Sequence, residues 1–69
     1  RDWPSAGDRW STFTAEVEVV EVGPRGGQLA VLVTARKDGR PDGMWHMSMP
    51  RFQTRVRHMT LTRRGGDHV

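Results

Sequence analysis

Sixty-nine residues without a cysteine make one small domain, braced by neither disulfide nor thiolate metal site. A chain this short hides only about 60% of its unfolded surface on folding, so further burial against a partner or a second copy is expected. The net charge is +3, from ten arginines and one lysine against eight acids. No run is long or apolar enough to span a membrane, and no basic segment leads into an apolar one as in a secretion signal, so the cytoplasm is the expected compartment.

Residues 1–10, RDWPSAGDRW, read as an irregular N-terminal arm, because Pro4, Gly7 and the lack of any period oppose helix and strand. Trp3 and Trp10 are expected to fold this arm back over a core edge. Residues 11–22 form the clearest strand: Phe13, Ala15, Val17 and Val19 share one face, and Thr12, Thr14, Glu16 and Glu18 the other. The phase slips at Val19–Val20, which predicts a β-bulge. GPRGGQ, residues 23–28, is a hairpin loop by composition. Residues 29–36 form a second strand whose two apolar faces suit a central position. KDGRPDG, residues 37–43, is a second turn, and residues 44–49 alternate again, with Trp45, Met47 and Met49 directed inward. Pro50 ends that strand, since it has no N–H for a ladder. One short helical turn near residues 50–53 is the only helix expected. Residues 53–63 read as a fourth strand with a second bulge at Arg57–His58, and residues 65–69 as a flexible C-terminal tail.

These elements predict an all-β fold in a single domain over residues 11–64. Its form is a small, four- to five-stranded antiparallel meander curled into a partly open SH3-like or OB-like barrel. The stretch GDRWSTFTAEVEVVEVGPRGG, with LAVLVTARKDGRPDG after it, resembles in cadence the late strands of hot-dog-fold dehydratases and thioesterases. The long central helix and catalytic segment of that family have no counterpart in 69 residues, so the resemblance brings no activity with it.

Charge is unevenly spread. Residues 1–22 hold two arginines and five acids, a net of −3; residues 23–69 hold nine basic groups and three acids, a net of +6. Residues 44–64 carry five arginines and no acid, interleaved with apolar groups. Interleaving of this kind suits phosphate contact with an aromatic face for a base. The candidate nucleic-acid-binding residues are therefore Arg51, Phe52, Arg55, Arg57, Arg63 and Arg64, with Arg36, Lys37 and Arg40 in the adjoining loop. Glu16, Glu18 and Glu21 are the rival partners for this charge if the strands lie side by side.

Other chemistry is weakly signalled. His46 and His58, with Ser48, are expected on neighbouring strands, but they lack metal-ligand spacing and an orienting acid. GPRGGQ lacks the lysine and hydroxyl of a phosphate-binding P-loop, and Asp38 and Asp42 read as turn formers. No cofactor, metal or catalytic residue is expected. The reading is a non-enzymatic module that binds DNA or RNA with little sequence specificity; the alternative is a protein–protein or assembly module, a homo-oligomer or a subunit of a larger complex.

Overall fold

The computed structural model describes residues 3–66. Five strands form one antiparallel sheet: β1 (Arg9–Ser11), β2 (Ala15–Arg25), β3 (Gln28–Lys37), β4 (Arg40–Ser48) and β5 (Thr60–Arg63), in the order β4-β3-β2-β1-β5. The sheet does not close into a barrel. A short helix, α1 (Met49–Arg55), and a 3₁₀ turn (Val56–His58) link β4 to β5.

The hairpins follow from their turn residues. Asp38 and Gly39 both adopt positive φ, 53° and 78°, and join Lys37 to its partner Arg40 in a two-residue loop. Gly26 and Gly27 do the same between Arg25 and Gln28. Gly23, Pro24 and Arg25 therefore belong to β2, and residues 40–43 to β4, rather than to long loops. The phase slip at Val19–Val20 is a bulge: Val19 faces Val33 and Glu21 faces Leu32, leaving Val20 without an opposite residue. No bulge falls at Arg57–His58: Thr62 is the extra residue of β5, between Leu61 opposite Trp10 and Arg63 opposite Arg9, and another bulge falls in β4. There Gly43 faces Ala35 and Pro41 faces Arg36, so Asp42 is the extra residue.

Three expectations are corrected. The strand expected over residues 11–22 is broken at 12–14, where the Thr12 hydroxyl accepts the Ala15 N–H (3.0 Å) and the Thr12 N–H meets the Ala15 carbonyl (2.8 Å). The turn throws Phe13 off the apolar face and leaves it fully exposed, at 103%. Arg9 and Trp10, read as the end of an irregular arm, make β1, which lies inside the sheet between β2 and β5. The helical turn expected near residues 50–53 is longer than expected: residues 49–58 are helical, and the strand expected over residues 53–63 shrinks to Thr60–Arg63. Ser48 supplies the N-cap by accepting the Arg51 N–H (3.4 Å), and Pro50 occupies the first turn, where its missing N–H costs nothing.

The core follows from these placements. Val17, Val19, Val31 and Val33 present one face of the sheet, and Met49, Phe52 and Val56 descend on it from the helical segment. Spacings of three and four residues put those three side chains on one side of the helix. Trp10 closes over Phe52 edge-to-face, with ring centroids 5.2 Å apart. Trp3 stays 54% exposed, so of the two arm tryptophans Trp10 is the one that covers the core.

The segment before β1 and the one after β5 are locked together. Asp8, 2% exposed, accepts the Ser5 N–H (2.9 Å) and the Gly65 N–H (2.7 Å). Gly65 is buried where a Cβ would run into the Ala6 carbonyl oxygen and the Gly7 Cα. Position 65, expected to open a flexible tail, is thus a packed contact; residues 67–69 lie outside those described.

Candidate nucleic-acid interface

The nine candidate residues divide by location. Phe52 is removed from the set: it is 0% exposed at the centre of the core and has no face for a base. The hydrophobic effect claims it, because α1 turns it toward the valines while Arg51 and Arg55 point outward.

Arg51 and Arg55, four residues apart on α1, both line a shallow cleft with Met47, Pro50 and Thr54. Arg55 also lines the next cleft, a cavity of about 360 Å³ shared with Arg36, Lys37, His58, Glu16 and Asp42. Its guanidinium carbon stands 5.4 Å from the centroid of the Trp45 ring, within cation–π range. Gly43 makes room for that ring: at φ 131° it has no Cβ, and one placed there would approach the indole to 3.1 Å. Arg36 is oriented by a hydrogen bond to the Gly39 carbonyl. Arg40 faces Lys37 across the Asp38–Gly39 turn. Arg36, Lys37, Arg51 and Arg55 thus come from two segments into one basic border, and Arg40 lies outside both clefts.

The other cations go elsewhere. Arg57 is exposed on the 3₁₀ turn. Arg63 faces Arg9 across the β1–β5 ladder. Arg64 lines a different cleft with Trp3, Trp10 and Asp8, and is already engaged in interactions of its own.

Glu16 and Glu18 of β2 pair with a residue outside the candidate set, although Glu16 also lies opposite Arg36 across the β2–β3 ladder; Glu21 lines a separate cleft on the outer face. Arg9 Nε lies 2.7 Å from Glu16 Oε2, and Arg9 Nη2 lies 2.9 Å from Glu18 Oε1. Register causes this: Arg9 sits opposite Glu18, and Ser11 opposite Glu16, on the sheet face away from the core. The hydrogen bond that Arg9 donates to Glu18, then the charge of Glu16, raise the Arg9 pKa above its ordinary value. Among the described residues, Arg36, Lys37, Arg40, Arg51 and Arg55 pair with no acid.

The two histidines do not meet. His46 lines a cleft on the outer face with Glu21, Arg25 and Leu32, whereas His58 belongs to the basic cleft, on the 3₁₀ turn and not on a strand beside β4. Among the described residues no three of His, Cys, Asp and Glu gather as metal ligands, and no helix is long and apolar enough to cross a membrane. Asp42, treated in sequence as a turn former, is brought into the basic cleft by the β4 bulge. No protein-family model, curated protein or solved structure matches the chain.

Proposed function

We propose that this chain is a cytoplasmic, non-enzymatic module that binds nucleic acid mainly through phosphate contacts, on a small open sheet of the SH3-like or OB-like kind. One observation carries the reading. Arg55 belongs to two adjoining clefts, joining Arg51 on one side to Arg36 and Lys37 on the other, while Glu16 and Glu18 of β2 are paired with Arg9. Cations left without carboxylate partners and held beside one another are what a phosphate backbone requires. Arg57, Arg63 and Arg64 lie outside this border and contribute long-range attraction at most.

Fluorescence anisotropy with short DNA and RNA oligonucleotides at several salt concentrations tests the proposal. Four cations predict a log K against log salt slope of about −3 on single strands. Absence of binding at low salt removes the proposal.

A second reading, self-association or docking on a protein, has its own support. Phe13 is fully exposed, Met44 is 59% exposed, and both β4 and β5 are edge strands of the sheet. Light scattering over a concentration series tests it, and a strict monomer counts against self-association.

A further inference from the structure

The cleft shared by Arg36, Lys37, Arg55 and His58 holds more than cations. Its floor is apolar, made by the nearly buried Val17 and Ala35 and the half-buried Met59. Asp42 lines it as well, extruded by the β4 bulge and paired with no cation among the described residues. A site for phosphate alone has no use for either feature: an apolar floor gives phosphate nothing, and a carboxylate repels it.

Resting on the nucleic-acid reading above, we infer that this cleft seats one unstacked base of a single strand, and that Asp42 selects a base bearing an exocyclic amine. The three features then have distinct tasks. The rim cations hold the phosphates flanking the base. The floor receives the face of the base, as apolar and aromatic platforms do in single-strand sites. The carboxylate of Asp42 accepts a hydrogen bond from an exocyclic amine such as cytosine N4, which thymine and uracil lack. Glu16 is not the acceptor, because Arg9 already holds it. A duplex keeps its bases paired and stacked and would have to flip one out, at a cost of a few kcal/mol. Single strands are therefore the preferred ligand.

The test compares oligodeoxycytidine and oligothymidine of about ten nucleotides, and a duplex of the same length, by anisotropy at neutral pH and fixed salt. The cytidine strand is expected to bind about tenfold tighter than the duplex and about fivefold tighter than the thymidine strand. Asp42 is exposed, so its variants are expected to fold, and thermal melting checks this. Asp42→Ala is expected to bring the two single strands to equal affinity, with the thymidine strand bound more tightly than before because a negative charge has gone. Asp42→Asn keeps an acceptor oxygen and is expected to retain part of the cytidine preference. Equal binding of duplex and single strands, or a cytidine preference unchanged in Asp42→Ala, overturns the base seat while leaving phosphate binding in place. Failure of all three ligands to bind overturns the nucleic-acid reading itself.

Discussion

Arg9 and Arg55 are the same side chain in opposite settings. Arg9 stands on β1 between Glu16 and Glu18, and its charge is answered within the sheet. Arg55 stands at the end of α1 over Trp45, beside Arg36 and Lys37, and no described acid answers it. The difference lies in cross-strand neighbours. A strand residue inherits the side chain opposite, so β1 delivered beside β2 consumes the acidic face. Arg55, on the helix that links β4 to β5, has no cross-strand neighbour. One flank of the molecule is therefore electrically closed and locked by Asp8 and Gly65, and the other is open. Substitutions on the closed flank should lower stability and spare binding; those on the open flank should do the reverse.

The largest effect tests the boundary between the flanks. Phe52 sits in the same helix as Arg51 and Arg55 but belongs to the core, so Phe52→Ala should cost about 3–5 kcal/mol. That is comparable with the whole stability of a domain this small, and urea titration should find the chain largely unfolded. A folded Phe52→Ala that merely lost oligonucleotide affinity would return Phe52 to the binding set. Gly65→Ala comes next. Its Cβ collides with the backbone of residues 6 and 7, and about 2–3 kcal/mol should be lost, read as a lower urea midpoint with an unchanged m-value.

Smaller effects separate the two arginines. Arg55→Ala should weaken single-strand binding about tenfold and reduce the salt slope by about 0.7, with the melting temperature nearly unchanged. Arg9→Ala should leave affinity alone and lower stability by at most about 1 kcal/mol, because a third of each side chain in the pair still meets solvent. The pH dependence of the Arg9 interaction follows from its raised pKa. A cation whose folded pKa lies above its unfolded one contributes fully below the unfolded value and loses the contribution as pH rises through the folded one. For arginine that window is strongly alkaline, so on the Arg9 side the pair is insensitive near neutrality, and added salt rather than pH should weaken it. Loss of oligonucleotide binding in Arg9→Ala would break the division between the flanks.

Much of the sheet was legible beforehand. Alternation gave β3, most of β2 and the inward Trp45 and Met47, and the parity slip located the Val20 bulge. A short helical turn near residues 50–53 was legible, but not its extension through Val56, although Ser48 caps it, Pro50 lies in the first turn, and Met49, Phe52 and Val56 fall at spacings of three and four. The seven residues of α1 hold fewer than two turns, too few for periodicity to outweigh the strand-like pattern on either side. The convergence of Arg36 and Lys37 with Arg55 had no local signal, because the two groups come from opposite ends of β4.

Local pattern by itself determined the all-β class, the antiparallel hairpins closing within residues 23–28 and 37–43, and the basic character of residues 44–64. Periodicity and turn chemistry are properties of neighbouring residues, so they can be read along the chain. Only the tertiary structure decided that β1 enters the sheet between β2 and β5, that Arg9 takes the acids, and that Arg55 is left to share a cleft with Arg36 and Lys37. Those outcomes depend on pairings such as Arg9 with Arg63, between segments far apart in the chain, and the packing of the whole core selects them.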